Sequence, residues 1–455
     1  MGKSVIAEES VSDYVASLYG ARKWQIGLII GQLTAQRDYI VHLVRTPEQT
    51  NEEQNEEKRL KSIDDVDDNW AIEHAHQVSR MLTGGLEVLG VFVFGPPDML
   101  TKAQGKLRQL VYMIYKKTSI KVDAFFHAQE AISSRVILQI CSQTKKMTCK
   151  TLDASDPKAT VQPAELKYQA FTSKWTTLRT QIFIDTKFLI PAKLGKATLH
   201  TQLVESLSTT LHGISNGICT IDGKILPMEQ QLVISEKQGK ASHHATNKSD
   251  EPLAVEIFVE MSSWGSCPKP VASETVGCMY MRGNIQCRAY VNQKSSCGEA
   301  LQALKRDAVR SMLSRCEVLC EDILDAQQQE NKASLDGTWA CPKRVFTPLK
   351  GPVCVCDYMF QDETTQDSFD RLSELMDVTP DIEDIEISEI IPGVAQVEEI
   401  SRKFSAERDR LTSSGKNQSE ESSSSKSSFT VIGLLVGAVS ALVAAGAALF
   451  LGDQN

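Results

Sequence analysis

The sequence predicts a layered α/β domain over residues 1–155, an α+β domain over 156–360, a disordered linker over 361–428 and a single C-terminal transmembrane helix over 429–451. Three observations support this division. Strand-like and helix-like apolar patterns alternate along the first part, which is typical of strands layered against helices. The linker is acidic and then rich in serine. The final apolar run holds 23 residues without a charge, which is long enough to span a bilayer.

The first domain begins with a predicted β-hairpin. Residues 26–31 and 39–44 are apolar and rich in β-branched side chains, and the polar residues between them favour a turn. A side-chain cap at Asp68 or Asn69 indicates a helix over 70–82. The remaining predicted elements are a buried strand at 86–94, an amphipathic helix near 107–115 and a hairpin formed by 135–141 and 147–152.

The second domain is predicted from several strand patterns and one long helix. The helix is expected from about Gly298 to Ala326, because apolar residues recur there at steps of three to five. In the linker we expect one short helix at most, near 366–377. The predicted strands lie at 175–190, 217–226, 253–260, 275–281, 285–292, 345–349 and 353–360.

The charge distribution argues against nucleic acid as a partner. The chain carries a net charge of −9, and residues 361–390 hold eleven Asp or Glu against the single basic residue Arg371. The sequence contains no cluster of Lys and Arg with interleaved aromatic residues, which nucleic-acid binding would require. The acidic run is either solvated linker or a docking segment for a basic partner, and its composition favours the linker.

The cysteines and histidines do not form a predicted metal site. None of the twelve cysteines belongs to a Cys-x-x-Cys pair, the spacing typical of zinc sites, so we expect free and mostly buried thiols. His74 and His76 are two residues apart on the predicted helix. Their rings therefore point about 200° apart and cannot share one ion. We predict no metal and no cofactor, with one of these histidines packed and the other solvated.

The apolar run that begins at Phe429 and ends at Leu451 predicts a tail anchor. As a helix it would span about 35 Å, against about 30 Å for the hydrocarbon core of a bilayer. A GPI-attachment signal has a similar C-terminal pattern, but it also requires a secretory signal peptide, and residues 1–10 do not have the apolar core of one. We therefore expect the body of the chain to face the cytosol.

A stripe of small residues follows one side of the predicted anchor. Gly433, Gly437, Ala441 and Ala445 recur at every fourth position. Such a stripe lets another transmembrane helix approach closely. Ten of the 23 residues are Gly, Ala or Ser, so composition alone also explains the stripe, and both interpretations stay open.

The order of elements around residues 27–31 and 86–92 resembles the MPN fold. The resemblance implies a glutamate before the first glycine pair and a His-x-His motif near the later strand in catalytic members. In this sequence the glutamate position is Trp24, and the two histidine positions are Val93 and Gly95. A zinc hydrolase needs these groups to hold and ionise its water. We therefore predict an MPN-like domain that has no catalytic residues and acts as a binding scaffold.

Further stretches resemble the odorant response abnormal protein 4 family along the whole chain except the linker. Residues 70–82, Trp-Ala-Ile-Glu-His-Ala-His-Gln-Val-Ser-Arg-Met-Leu, and 84–92, Gly-Gly-Leu-Glu-Val-Leu-Gly-Val-Phe, are the most specific. Shorter matching stretches are 27–32, 45–47, 167–169, 287–290, 305–307 and 356–358.

The family resemblance implies an endoplasmic-reticulum membrane protein that helps multipass receptors, G-protein-coupled receptors (GPCRs) included, to mature and reach the cell surface. It also implies a partner, a cysteine protease specific for the ubiquitin-fold modifier (Ufm), which itself carries an MPN-like region. The resemblance brings no catalytic residue to this chain.

Two classes of function follow. The first is a tail-anchored adaptor that recruits the Ufm-specific protease through the MPN-like domain and assists receptor trafficking. The alternative is a membrane-anchored hydrolase with an unrecognised active site, which bound zinc or a reactive cysteine would reveal. A SNARE-like tether is disfavoured, because residues 394–428 are rich in serine and do not show heptads.

Overall fold

The computed structural model describes residues 3–21, 23–48, 63–127, 132–169, 175–232, 251–259, 275–328, 338–389, 433–436 and 442–444. The first unit is a seven-stranded barrel with helices packed against it. Its elements are β1 (Ser4–Glu8), α1 (Glu9–Leu18), β2 (Gln25–Gln32), β3 (Arg37–Arg45), α2 (Asp68–Met81), β4 (Glu87–Gly95), α3 (Pro97–Lys102), α4 (Gln104–Thr118), α5 (Ile120–Asp123), β5 (Ser134–Cys141), β6 (Met147–Asp153) and β7 (Gln162–Gln169).

The barrel strands are ordered β1-β3-β2-β4-β5-β6-β7, and parallel pairing of β1 with β7 closes the circle. Side chains alternate between the two sides of each strand, and the interior set is apolar, with Phe92, Phe94 and Leu138 among its largest members. Gly90 is required where β4 meets β5. It has φ +154°, and a Cβ atom there would lie 1.8 Å from the Val136 carbonyl oxygen.

Helices α2 and α4 cover the outside of the barrel. The predicted apolar face of α4 is confirmed, since Leu107, Leu110, Val111 and Ile114 are buried. The predicted hairpin of β2 and β3 is also confirmed, as are the helix α2 and the strand β4. Helix α2 begins two residues earlier than predicted, because Asp67 supplies its N-terminal cap by accepting a hydrogen bond from the backbone of Asn69.

The second unit contains a large sheet, ordered β12-β17-β16-β11-β8-β10-β9, and a small sheet, ordered β14-β13-β15. Helices α6 and α7 pack on one face of the large sheet. Its elements are β8 (Trp175–Pro191), α6 (Leu199–Asn216), β9 (Ile218–Ile221), β10 (Leu253–Phe258), β11 (Thr275–Asn292), α7 (Cys297–Gln328), β12 (Thr338–Ala340), β13 (Lys343–Lys350), β14 (Val353–Met359), α8 (Thr365–Met376), β15 (Glu386–Ile387), β16 (Gly433–Val436) and β17 (Leu442–Ala444).

The predicted linker is wrong over its first part, because residues 361–389 belong to the folded body. The short helix expected there is confirmed as α8, and its residues Leu372 and Met376 are fully buried. Strand β15 then pairs with β13. The acidic composition concealed an apolar face on α8, whose acidic side chains point to solvent. The barrel likewise extends past the predicted boundary at 155, since β7 is one of its strands.

Most of the predicted transmembrane run lies outside the described residues. The positions Phe429, Gly437, Ala441, Ala445 and Leu451 are among them. Two pieces are described, β16 (which includes Gly433) and β17, and both are strands that pair in the large sheet. This pairing satisfies backbone groups that a lipid-embedded segment would satisfy within its own helix. No helix in the described ranges has both the length and the apolar character needed to cross a membrane.

Candidate functional site

The three positions that the sequence resemblance aligns with the metal-site residues of the MPN fold lie together at one end of the barrel. Val93 of β4 pairs with Ile26 of β2, and Trp24 directly precedes β2. A Cβ atom on Gly95 would lie 3.4 Å from Cβ of Trp24. Indole, isopropyl and hydrogen side chains offer no lone pair to a metal ion. Within the described ranges, no group of three or more His, Cys, Asp or Glu side chains could hold one.

His74 and His76 on α2 are both buried, with exposed fractions of 3% and 6%. His74 Nε2 lies 2.9 Å from the Leu375 carbonyl oxygen, whereas His76 Nε2 lies 3.0 Å from Oε1 of Glu317. The rings therefore contact different elements, as their helical spacing predicts. The prediction that one ring is solvated is wrong, because α7 and α8 both pack against α2.

Burial and pairing shift the pKa values of the ionisable groups in and around these histidines. Burial lowers the pKa of His74, and its hydrogen bond with Leu375 opposes this effect only in part. Burial would raise the pKa of Glu317, but the hydrogen bond with His76 and the charges of His76 and Lys121 outweigh it and lower that pKa to about 2. Glu317 is therefore an ionised link between α7 and the outer helices of the barrel.

Gly84 and Gly85 join the barrel to the second unit. The N–H of Gly84 donates to the Arg288 carbonyl oxygen at 2.9 Å, and its own carbonyl accepts from Tyr290 N at 2.8 Å. Gly85 has φ +81°, and a Cβ atom there would lie 2.0 Å from the Tyr290 carbonyl oxygen. Only glycine fits both this backbone conformation and this close approach. The family-like stretch 84–92 thus begins at a contact between the two units.

Buried side-chain hydrogen bonds reinforce this junction. Gln32 of β2 accepts from Asn292 N at 2.8 Å and donates to Ser295 Oγ at 3.0 Å. Trp175 Nε1 of β8 donates to Glu8 Oε1 at 2.8 Å. Buried polar groups are tolerated when they are paired in this way. The barrel and the second unit are therefore joined by specific contacts from several elements.

Two buried ion pairs lie at the centre of the second unit. Arg344 of β13 donates two hydrogen bonds to Asp307 of α7, at 2.7 and 2.8 Å, and both side chains are fully buried. Arg315 of α7 donates two bonds to Glu389, at 2.8 and 2.6 Å. Glu389 also accepts from the backbone N–H groups of Gln286, at 2.9 Å, and of Arg344, at 2.6 Å.

These ion pairs hold elements together and offer no reactive group. Burial raises the pKa of Glu389, although the charge of Arg315 opposes this. Burial would lower the pKa of Arg344, but the charge of Asp307 outweighs it and keeps the guanidinium protonated. A guanidinium in this state is not a general base, and each carboxylate is occupied by an arginine fork. The pairs therefore fix α7, β13 and the segment that ends at Glu389 relative to one another.

The prediction of mostly buried thiols is confirmed for the described cysteines, nine of which are buried, with Cys354 partly exposed. Burial raises the pKa values of Cys149 and Cys320 to about 12, so these thiols are protonated at neutral pH and are poor nucleophiles. Cys141 differs. Burial opposes its ionisation, but hydrogen bonds with Thr144 outweigh burial and lower its pKa. The contacts described for Cys141 do not include a histidine.

A small polar cleft lies between the barrel and α7. Its lining includes Arg135, Arg306 and Arg310 together with Glu87 and Asp123. Its volume is about 80 Å³, well below the roughly 300–1,000 Å³ of small-molecule sites. Arg135 pairs with Glu87, Arg306 pairs with Asp123, and Arg310 donates to two backbone carbonyl groups near the end of α2. The cleft is therefore part of the junction between the units.

Sequence reasoning missed the buried ion pairs, although one signal was present. Asp307 belongs to the family-like stretch 305–307, and it lies on the same long helix as Arg315, eight residues away. Two charged residues at this spacing share a helix face with the apolar residues around them. Their partners Arg344 and Glu389 lie in later segments of the chain, which the helix pattern alone does not identify.

Comparisons with known proteins agree with the sequence resemblance. Residues 27–387 match the family described as odorant response abnormal 4-like. A mouse protein named "Protein odr-4 homolog" is 33% identical over 428 residues, which cover 92% of each chain. The human protein of the same name is 34% identical over 395 residues, covering 86% of each chain. "Odorant response abnormal protein 4" of Caenorhabditis elegans is 19% identical over 335 residues, covering 73% of this chain and 68% of that one.

A solved structure with a weak similarity is the UfSP protein of C. elegans. The superposition covers 83% of this chain and 57% of that chain, with a TM-score of 0.37 and 9% sequence identity. At this level the similarity supports no conclusion about fold or function.

Proposed function

The chain belongs to the odorant response abnormal 4-like family, and from that membership we propose that it is a non-catalytic adaptor of the endoplasmic-reticulum membrane. Its cytosolic body recruits a Ufm-specific cysteine protease, and it assists the maturation and trafficking of GPCRs. The observation on which the non-catalytic role depends is the composition of the barrel end. There, the neighbouring residues Trp24, Val93 and Gly95, which the sequence resemblance aligns with the metal-site positions of an MPN hydrolase, provide no metal ligand and no base.

The partner role follows from what the described fold leaves available. The polar groups at the centre of the second unit are used in bonds between its own elements. The cleft between the units is small and lined by paired charges. Function is therefore assigned to the surface, and the barrel is the part that we propose for contact with the MPN-like region of the protease.

The membrane role follows from the apolar run at 429–451. Glu389, which is bound inside the second unit, is the last residue that the structure describes before position 433. The 39 residues from 390 to 428 then separate the body from the run. An anchored helix would therefore hold the body, and any protease bound to it, close to the bilayer.

A truncation tests the recruiting role. We expect the Ufm-specific protease to fractionate with membranes in cells that express the full chain and to become soluble in cells that express residues 1–428. A matched variant in which 429–451 is replaced by an unrelated apolar helix of 23 residues should restore membrane association. If the protease stays on membranes without residues 429–455, the recruiting role is wrong.

A second candidate, a membrane-anchored hydrolase, is favoured by one observation, the lowered pKa of Cys141. The full chain should be treated with a cysteine-directed activity probe. Labelling that requires Cys141, together with turnover of a substrate by the purified chain alone, would support the hydrolase and contradict the adaptor.

A further inference from the structure

Strand β11 pairs with β8 along one edge of the strand, almost from end to end. The backbone groups on its second edge therefore need other partners. In the later half of the strand these partners come from elsewhere in the body. The N–H groups of Gln286, Arg288, Tyr290 and Asn292 donate to the Glu389 carboxylate, the Asp307 carboxylate, the Gly84 carbonyl and the Gln32 amide, in that order. This half of the second edge is closed by the folded body.

The earlier half of the same edge is closed by the apolar run. Successive residues of a strand direct their N–H groups to opposite edges, and the register of β11 with β8 is unbroken from Gly277 onwards. The N–H groups of Tyr280 and Arg282 therefore face the second edge, as those of the other even-numbered residues do. There β16 pairs with β11 in parallel, with Tyr280 opposite Leu434 and Arg282 opposite Val436.

The two strands of the run are part of the sheet itself. Strand β17 pairs with β16 and with β12, which gives the order β12-β17-β16-β11. Within the described part of the chain, β12 makes all its strand pairings with β16 and β17. The run is therefore inserted between two strands of the body, where the sheet satisfies its backbone groups.

The same run is the proposed anchor, and a bilayer satisfies it in a different way. A transmembrane helix forms all its backbone hydrogen bonds internally. The sheet pairs only four residues in β16 and three in β17, whereas a helix would place all 23 residues in hydrocarbon. Because the gain from burial grows with the apolar area removed from water, an accessible bilayer competes successfully with the sheet. In water, the sheet is the better of the two environments, since an uncovered apolar run promotes aggregation.

We propose that the edge of β11 at Met279–Arg282 is a docking surface for the chain's own apolar run, which has two alternative positions. In the sheltered position the run forms β16 and β17 in the large sheet. In the inserted position it is a transmembrane helix, and the edge of β11 is vacated. The body thus shelters its own anchor until a bilayer accepts it. The inserted position rests on the proposed function, whereas the sheltered position rests on the strand pairing alone.

The exchange between the two positions leaves the ion pairs of the body intact. Glu389 is bound at Gln286, and Gly433 pairs with Met279, which is seven residues away on the same strand, or about 23 Å. The 43 residues from 390 to 432 span at most about 140 Å when fully extended. The chain between Glu389 and the run is therefore long enough for the sheet and for a nearby bilayer. Only the strand pairings of the run have to break.

Disulfide trapping tests the sheltered position. The full chain carrying Arg282→Cys and Val436→Cys is synthesised in a membrane-free translation system and oxidised with copper phenanthroline. Arg282 is exposed, and cysteines at register partners are within reach of a disulfide. The matched control carries Arg282→Cys and Leu435→Cys, because a step of one residue places the second cysteine on the opposite face of the sheet. Arg282→Cys alone measures linkage to the twelve native cysteines, and mass spectrometry quantifies each linked peptide.

Without membranes, we expect positions 282 and 436 to be linked about fivefold more than positions 282 and 435. Microsomes present during synthesis should lower the 282–436 link about fivefold, in chains that resist extraction with alkaline carbonate, since insertion removes the run from the sheet. Equal linkage of the two pairs without membranes would overturn the sheltered position. An undiminished 282–436 link in carbonate-resistant chains would overturn the exchange, because the run would then occupy the sheet while the chain is membrane-bound.

The two readouts separate this inference from the proposed anchor. If the 282–436 link forms without membranes but the chain never resists carbonate, the anchor is wrong and the pairing with β11 stands. If the chain resists carbonate and the 282–436 link never exceeds the control, the anchor stands and the docking edge is wrong.

Discussion

The barrel and the second unit pack their interiors in different ways. The barrel is filled by apolar side chains such as Phe92, Phe94 and Leu138. The second unit places two ion pairs, Arg344–Asp307 and Arg315–Glu389, among its buried residues. Apolar packing tolerates substitutions that conserve volume. A buried ion pair adds little net stability, but removing one partner leaves an uncompensated charge. The identity of individual residues therefore matters most in the second unit.

The second unit also holds the last residue described before position 433. Glu389 is the last residue described before the segment that leads to the proposed anchor, and it is bound by Arg315 and by two backbone N–H groups. The ion pairs thus fix the residue from which the proposed membrane tether would start.

The largest expected effect comes from breaking the better-buried ion pair. Asp307→Asn leaves the Arg344 guanidinium buried without its charge partner, and we expect a loss of about 4 kcal/mol in the free energy of unfolding. Denaturant unfolding of the full chain in detergent measures it. The exposed residue Asp325 on the same helix provides the control, since Asp325→Asn should change stability by less than about 0.5 kcal/mol. Equal effects of the two variants would contradict the contrast between the interiors of the two units.

A cavity in the barrel should lower the free energy of unfolding by somewhat less than the broken ion pair does. Leu138→Ala removes a fully buried side chain from the barrel interior, and we expect a loss of about 3 kcal/mol. Leu138→Met conserves volume and should cost less than about 1.5 kcal/mol. The same unfolding measurement applies. If Leu138→Met lowered the stability as much as Leu138→Ala does, the barrel interior would not tolerate volume-conserving substitutions.

The contrast between the two units also explains which features were predictable from sequence. Strands β2 and β4 are continuous runs of buried residues, and such runs are visible in a single sequence. Strand β7 has no fully buried residue, and its exposed polar residues alternate with the half-buried Ala164, Leu166 and Tyr168. This short alternation is a weaker signal than a continuous apolar run and was missed. Strand β1 and helix α1 were missed as well. The ion pairs depend on contacts between Asp307 and Arg344, 37 residues apart. Spacing along a chain does not show which charged side chains become buried together.

The linker prediction failed for a related reason. Counting acids over 361–390 suggested a solvated segment, but Glu389 is buried by its pairing with Arg315, and Asp357 with Arg371 holds α8 against β14. For the candidate site, the alignment of Trp24, Val93 and Gly95 came from sequence, and the structure shows that these positions are neighbours. The apolar face of β8 was not predicted, because a strand pattern does not show which side a neighbouring helix will cover.

A smaller effect, dependent on pH, is expected where the two units meet. Glu317 of α7 contacts His76 and Lys121, and its pKa in the folded state is about 2, below the ordinary value of 4.5. Its contribution to stability is therefore present above pH 4.5 and is lost as the pH falls towards 2. After a discount for partial exposure, the contribution is about 2 kcal/mol.

Unfolding measured between pH 6 and pH 2 checks this contribution. The native chain should lose stability more steeply than Glu317→Gln over that interval. Glu321→Gln is the control, because Glu321 pairs with Arg80 at the surface and its side chain is 56% exposed; it should follow the native curve. If the native chain and Glu317→Gln show the same slope, Glu317 does not link the units in the way proposed.

The smallest effect is expected at Cys141, at the barrel end that a hydrolase would use. Its lowered pKa favours a thiolate, but a cysteine hydrolase also needs a base to activate the nucleophile and to protonate the leaving group.

Under the adaptor proposal, Cys141→Ala should lower the free energy of unfolding by about 1 kcal/mol through lost packing. It should leave both protease recruitment to membranes and receptor delivery to the cell surface within about twofold of the native values. Cys354→Ala, at a partly exposed thiol, should behave in the same way. If Cys141→Ala abolishes receptor delivery while the variant stays folded and still recruits the protease, the barrel end performs chemistry, and the contrast between an inert barrel and a charge-dependent second unit would have to be abandoned.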